Sequence, residues 1–157
     1  MLKAGDTVEM PKPGLAIPHL WIIITDPEPH NNLSIIVNVT TLRSHSDTTV
    51  ILKAGDHPYI VHDSCMFYAD ARLTKPSEIE KAINLGVCRK RQPCSDALLE
   101  RIKKGLLVSE QTKNKVRKFF SQALGVRCPH CGYDHSPATL HRLEENLFKC
   151  DDCDKEW

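Results

Sequence analysis

The first half of the chain consists of short runs of β-branched and aromatic residues, separated by polar turn residues. Five such runs cover residues 7–10, 20–25, 33–41, 48–52 and 65–72. Clusters of Pro, Gly, Asn and Asp stand between them, and this spacing is typical of antiparallel strands joined by turns. The pattern therefore predicts a small antiparallel β-barrel or sandwich over residues 1–75.

Helical periodicity replaces the strand pattern after residue 75. Ser77, Ser95 and Ser109 each precede an apolar pattern of helical spacing, so each is a predicted helix start. Gly105 is positioned to help end the second helix and Gly125 to end the third. One face of the third helix carries apolar residues that we assign to the core: Val116, Phe119, Phe120, Ala123 and Leu124. No internal repeat is expected.

Two Cys-x-x-Cys pairs occur near the end of the chain, with 18 residues between them. Two cysteines three positions apart in a tight turn direct both sulfur atoms at one ion, and four thiolates complete the tetrahedral shell of zinc. A redox Cys-x-x-Cys pair is the alternative, which two matched pairs disfavour. The spacing predicts one structural zinc ion per chain, in a zinc ribbon, with the ligands Cys128, Cys131, Cys150 and Cys153.

The ribbon divides the chain into two predicted domains, residues 1–125 and 126–157. No apolar run is long enough to cross a membrane, and no secretory signal pattern is present. We therefore expect a cytoplasmic protein whose cysteines stay reduced, with Cys65, Cys88 and Cys94 as buried thiols.

A basic stretch lies within a chain whose net charge is only +1. Residues 89–118 hold 10 Lys and Arg against 3 Asp and Glu. Such a stretch is either a solvated helical face or a surface that neutralises phosphates. The ribbon itself is acidic, which favours a structural or protein-contacting role for it.

Residues 3–124 resemble the PemK/MazF family of toxin ribonucleases from toxin–antitoxin systems. The closing helix, with Leu-Leu-Glu-Arg-Ile, is similar to the family's terminal helix. The resemblance implies a small SH3-like β-barrel with terminal helices, a homodimer, an antitoxin partner, and metal-free cleavage of single-stranded RNA. Four segments carry the resemblance in the family's order: Gly5-Asp6-Thr7-Val8, His19 to Thr25, Val37-Asn38-Val39-Thr40-Thr41, and Ala69-Asp70-Ala71-Arg72-Leu73.

The resemblance points to His19, Thr40, Asp70 and Arg72 as catalytic candidates. Family members use an arginine before the second strand, where this chain has His19, and a threonine that ends the third strand, which Thr40 matches. The family's Arg-x-Asp pair is absent in its own register, and Asp70 and Arg72 lie close to that position. This departure moves the expected acid–base chemistry to histidine.

Histidine suits metal-free RNA cleavage because imidazole titrates near neutrality and serves as acid or base. The reaction also needs a cation for the charge that builds on the phosphorus, and Arg43 or Arg72 would hold the phosphate bidentately. A surface or capped side chain is the alternative for each candidate histidine. The candidates are His19, His45, His57 and His62.

These features predict a toxin-like endoribonuclease or a degenerate relative of one. In the catalytic case His19 is the general base or acid, Thr40 orients the phosphate, and Arg72 offsets charge in the transition state. The alternative is a non-catalytic nucleic-acid- or protein-binding module of the same fold. The expected partners are RNA, an antitoxin or other protein, and a second copy of the chain.

Overall fold

The computed structural model describes residues 1–12, 14, 17–28, 30–123, 141–144 and 147–149. The chain forms two compact units, Met1–Thr112 and Lys113–Trp157. The predicted domain boundary at residue 125 lies outside the described residues, so that division stays a prediction.

The first unit is built around one antiparallel sheet of six strands. The strands are β1 (Thr7–Met10), β2 (His19–Ile23), β3 (Ser34–Thr41), β4 (Ile51–Leu52), β5 (Ser64–Thr74) and β6 (Arg89–Arg91). Their order across the sheet is β4-β5-β3-β2-β1-β6, and the sheet curls into a half-barrel. This confirms the predicted mainly β, antiparallel architecture.

Helix α1 (Pro76–Asn84) covers one face of the sheet. Its N-cap is Lys75, two residues before Ser77, which was predicted to precede the helix. The helix begins at Pro76 because proline presets the backbone angle of the first helical position and needs no hydrogen-bond donor there. The buried cluster beneath the helix comprises Leu2, Val8, Met10, Trp21, Ile23, Ile36, Ile79 and Cys88.

Helix α2 (Asp96–Val108) packs against Tyr68 of β5. The Tyr68 hydroxyl donates a buried hydrogen bond of 2.8 Å to the carbonyl oxygen of Ile102. Ser95 caps the helix, as predicted, by accepting a hydrogen bond of 3.2 Å from the backbone N–H of Leu98. Helix α1 therefore contacts residues of β1, β2 and β3, and α2 contacts β5. The central strand β3 is buried along most of its length.

The third helix, α3 (Asn114–Ala123), begins later than predicted and belongs to the second unit. Ser109 ends α2 and donates its hydroxyl hydrogen to the Asp47 carboxylate, so the predicted helix start at Ser109 was wrong. The second unit also contains β7 (His141–Glu144) and β8 (Leu147–Lys149), which pair antiparallel. None of the helices in the described part of the chain is long and apolar enough to span a membrane.

An identical pentapeptide, Leu-Lys-Ala-Gly-Asp, occupies residues 2–6 and 52–56 and forms the same turn twice. In each copy the Asp carboxylate accepts a hydrogen bond of 2.9 Å from the backbone N–H of the Lys. Each Gly has a positive φ, 88° at Gly5 and 101° at Gly55, which costs glycine little. The expectation of no internal repeat was therefore wrong at this short scale.

Candidate functional site

A groove with two halves lies over the ends of β2 and β3. One half, the basic cleft, has a volume of about 640 Å³. The other half, the apolar cleft, has a volume of about 340 Å³. The basic cleft is lined by residues that include Lys12, His19, Thr40, Arg43, His45 and Asp47. The apolar cleft is lined by residues that include Ile17, Pro18, Tyr59, Ile60, Val61 and His62. Four residues line both halves and join them into one groove: Ile17, His19, Thr40 and Thr41.

The register of the sheet brings His19 and Thr40 together. β2 and β3 pair antiparallel with Trp21 opposite Asn38. Because alternate residues of a strand point to the same face, two steps along this register set His19 opposite Thr40 on the face that carries Trp21. Both side chains are half-buried at the junction of the two clefts.

A hydrogen bond fixes the tautomer of His19. Its Nδ1 lies 3.2 Å from the carbonyl oxygen of Val39. A carbonyl oxygen only accepts hydrogen bonds, so Nδ1 carries the proton and the neutral ring keeps a lone pair on Nε2. That form of imidazole can take a proton from a hydroxyl group, so His19 is set up as a general base.

Lys12 is a cleft residue that the sequence analysis missed. Its ammonium forms an ion pair of 2.7 Å with Asp70, which is not among the described residues that line either cleft. The same ammonium lies 5.0 Å from the ring centroid of Phe67. Lys12 follows β1 in a segment without periodicity, so no sequence signal marked it. Asp70, a predicted catalytic residue, therefore does not line the basic cleft itself and instead pairs with Lys12, which does.

Arg72 lies beside Trp21, whose ring Lys12 also approaches at 5.7 Å. Its guanidinium carbon is 4.2 Å from the ring centroid of Trp21, and it lines neither cleft among the described residues. Arg72 is opposite Ile36 on β3, whereas Thr40 is opposite Cys65. Four residues of strand separate the two positions, roughly 13 Å at the usual rise.

A short turn presents Arg43 and His45 to the basic cleft. The backbone N–H of Ser46 donates to the carbonyl oxygen of Arg43 at 3.0 Å, and the Ser46 hydroxyl accepts from the backbone N–H of Arg43 at 2.9 Å. These reciprocal bonds set the path of the turn. The Arg43 and His45 side chains are exposed and line the cleft.

Asp47 anchors this turn to the protein interior. Its buried carboxylate accepts hydrogen bonds from the Ser109 hydroxyl and from the backbone N–H of Thr49, the latter at 2.9 Å. Burial raises the pKa of Asp47, but the hydrogen bonds from Ser109 and Thr49 outweigh it, and the net pKa lies below the ordinary value of 3.8.

Asp47→Ala is expected to destabilise the first unit by about 1.5–3 kcal/mol at neutral pH, because the hydrogen bonds to a charged acceptor are lost. Since the folded-state pKa is lowered, the contribution is present above pH 3.8 and is lost as the pH falls through the folded-state pKa. Urea unfolding at neutral and at acid pH would measure this. Asp63→Ala, at an exposed carboxylate, is the control and should have almost no effect. An Asp47→Ala effect that is equal at both pH values would contradict the anchoring role.

The candidate histidines His57 and His62 have different surroundings. His57 is buried, donates from Nε2 to the carbonyl oxygen of Gln92 at 2.6 Å, and accepts at Nδ1 from the backbone N–H of Tyr59 at 3.0 Å. Both ring nitrogens are used, so His57 is a structural residue. His62 is exposed in the apolar cleft, with Nε2 3.1 Å from the Thr41 hydroxyl.

Much of the basic stretch is engaged in ion pairs within the first unit. Lys90 pairs with Asp6 at 3.1 Å, and Arg101 pairs with Asp56 at 3.3 Å. Arg91 pairs with Glu9, and Lys103 pairs with Glu100. The carboxylates of both copies of the repeated turn are thus bound by basic side chains. This pairing lowers the positive charge that the stretch presents to a ligand.

The cysteine that lines the groove is not a reactive nucleophile. Cys65, Cys88 and Cys94 are free, buried thiols, as predicted. Cys65 lines the basic cleft, and burial raises its pKa, so the thiol is protonated at neutral pH and is a poor nucleophile. The predicted zinc ligands Cys128, Cys131, Cys150 and Cys153 lie outside the described residues, and within the described ranges no cluster of three or more His, Cys, Asp or Glu side chains could hold a metal ion.

Comparison with known proteins identifies no family for the chain. No protein-family model matches it, and no curated protein matches it. The resemblance to the PemK/MazF family therefore stays a prediction from the sequence, as do the antitoxin partner and the homodimer. A function for the groove is therefore proposed from its own side chains.

Proposed function

We propose that this chain is a toxin-like endoribonuclease that cleaves single-stranded RNA without a catalytic metal. The supporting observation is the basic cleft, where a histidine with a lone pair on Nε2 lies opposite a threonine and beside Lys12, Arg43 and His45. Asp47 is the one carboxylate among the described lining residues, and it is engaged by Ser109 and Thr49. Lys12 is paired with Asp70, so Arg43 is the cation of the lining that has no ion pair within the described residues, and it suits the cleft to a phosphate group.

Two imidazoles supply the proton transfers of the proposed reaction. His19 Nε2 takes the proton of the 2′-hydroxyl, whose oxygen attacks the adjacent phosphorus. The bond from phosphorus to the 5′-oxygen breaks, and protonated His45 donates a proton to that oxygen. The products are a 2′,3′-cyclic phosphate and a 5′-hydroxyl group.

Charge stabilisation falls to Arg43 in this proposal, with help from Lys12. The sequence left Arg43 and Arg72 open for this role, and the position of Arg43 in the lining of the cleft favours it over Arg72. Arg43 would hold the two non-bridging phosphate oxygens through its planar guanidinium, and Thr40 would donate a second hydrogen bond to one of them. The negative charge of the transition state is then met by groups already in place.

We also propose that the second domain is a zinc ribbon held by Cys128, Cys131, Cys150 and Cys153. The pairing of β7 with β8 between the two cysteine pairs supports a compact ribbon. Four thiolates leave zinc no open position, so the ion would stabilise this domain and take no part in cleavage.

His19→Ala is expected to lower the rate of RNA cleavage at least a hundredfold, because removing a general base typically costs 10²- to 10⁴-fold. Arg43→Ala should lower it by about a hundredfold through lost charge stabilisation. A fluorescent single-stranded RNA at neutral pH with EDTA gives the rates. Circular dichroism at the same EDTA concentration checks that the protein stays folded.

His30→Ala and Lys81→Ala are the matched controls, since they remove an imidazole and a cation from outside both clefts. Both should keep the full rate. Near-full activity in His19→Ala would contradict the assigned base, and a larger loss in Arg72→Ala than in Arg43→Ala would return the charge role to Arg72. Binding of RNA by the unmodified protein without cleavage would favour the non-catalytic binding module instead.

A further inference from the structure

Each half of the groove contains an aromatic side chain. Phe67 lines the basic cleft and Tyr59 lines the apolar cleft, and both are half-buried. A cation lies near each ring: Lys12 Nζ is 5.0 Å from the centroid of Phe67, and the guanidinium carbon of Arg91 is 5.7 Å from that of Tyr59. Each cation lies over part of its ring, and the part of each half-buried ring that lines its cleft is open to a flat, polarisable group.

The apolar cleft leaves large apolar side chains open to solvent. Ile17 is 75% exposed and Val61 is 74% exposed, and both line this cleft beside Tyr59. Apolar side chains grouped around an aromatic ring on a protein surface mark a binding site more often than isolated ones do. The cleft therefore offers an uncharged ligand apolar contacts beside the polar side chains of Thr41 and His62.

We propose that Phe67 and Tyr59 are stacking platforms for two nucleobases, one on each side of the phosphate that lies at His19 and Thr40. The inference rests on the proposed function and names how its substrate is held. His19 and Thr40 line both clefts, so a strand whose phosphate is bound there directs one neighbouring base into each cleft. The substrate class is then single-stranded RNA whose bases are unpaired on both sides of the cleaved bond.

The continuity of the two clefts favours a nucleobase over a protein side chain as the ligand of the apolar cleft. The cleft is continuous with the basic cleft, where Arg43 is exposed and would attract the phosphates of the same strand. Every base offers a π-face to an aromatic ring, whatever its sequence, so stacking gives affinity without strict base readout.

Binding measured by fluorescence anisotropy tests the inference without requiring cleavage. The probes are a labelled oligothymidylate and an abasic deoxyoligomer of the same length, which carry equal backbone charge and lack the 2′-hydroxyl. Tyr59→Leu and Phe67→Leu keep apolar volume but remove the ring. Each should weaken binding of the oligothymidylate about 5- to 100-fold, the range of stacking losses, and leave binding of the abasic oligomer unchanged.

Two controls separate stacking from general damage. Tyr59→Phe keeps the ring and should bind the oligothymidylate like the unmodified protein. Leu85→Ala removes a side chain that is 79% exposed and lines neither cleft among the described residues, and it should also have no effect. Arg43→Ala should weaken binding of both oligomers, because it acts on the backbone charge.

Equal losses on both oligomers, unchanged affinity in both Leu variants, or no binding of the oligothymidylate at low salt would overturn the inference. Any of these outcomes would favour a protein segment as the ligand of the apolar cleft. If the Leu variants lose affinity only for the oligothymidylate and the unmodified protein does not cleave RNA, the two stacking platforms are supported and the catalytic proposal is contradicted. If the unmodified protein cleaves RNA and both Leu variants keep full affinity, the catalytic proposal is supported and the stacking platforms are contradicted.

Discussion

Cys128→Ser is expected to release zinc from the chain and to unfold the C-terminal domain. A domain of about thirty residues cannot bury enough apolar surface to fold alone, so metal binding supplies its folding free energy. Structural zinc contributes about 10–16 kcal/mol in comparable peptides at neutral pH, and removing one of four thiolates forfeits a large part of it.

Metal analysis of freshly purified, unchelated protein measures this directly. The unmodified chain should carry one zinc ion, and Cys128→Ser should carry almost none. Cys88→Ser is the matched control, because Cys88 is a buried thiol of the α1 cluster, and this variant should lose some stability and keep its zinc. Less than about a tenth of an equivalent of zinc in the unmodified protein would exclude the site, since a closed four-thiolate shell holds its metal through purification.

The strands and the start of α2 could be predicted because their causes are local. Alternating and β-branched runs mark β1 to β3 and β5, and Ser95 caps α2 through its own neighbouring N–H. The start at Ser109 failed because the partner of its hydroxyl, Asp47, is 62 residues away in sequence. The basic strand β6 has no apolar pattern, and its pairing with β1 holds it in place. Long-range partners of this kind leave no periodic signal.

The candidate site also contains residues that the sequence predicted and residues that it did not. The resemblance to the PemK/MazF family predicted His19 and Thr40 as parts of one site, and the register of β2 and β3 places them at adjoining strand ends. The position of Arg72 could not be predicted, because the β3–β5 register shifts between Ile36 and Asn38 and no sequence signal shows such an irregularity. Lys12 was missed for the related reason that loop side chains acquire their partners only in the folded chain.

Gly105→Ala is expected to destabilise the first unit by about 3 kcal/mol and to lower its Tm by roughly 10 °C. A Cβ at Gly105 would overlap the Tyr68 hydroxyl and would lie 2.5 Å from Cγ2 of Val50. Tyr68 is fully buried and bonded to the Ile102 carbonyl, so its ring cannot move aside without breaking that bond. The gain of about 1 kcal/mol in helix propensity is too small to offset the clash.

A double-mutant cycle with Tyr68→Phe shows whether the clash is the cause. Removing the hydroxyl costs about 1 kcal/mol on its own, because one buried hydrogen bond is lost. It also removes the atom that the new methyl group would overlap, so Gly105→Ala should cost clearly less in the Tyr68→Phe background. Lys104→Ala, at an exposed position one residue earlier in α2, should change stability little. Equal costs in both backgrounds would show that α2 requires Gly105 for a reason other than the close approach of Tyr68.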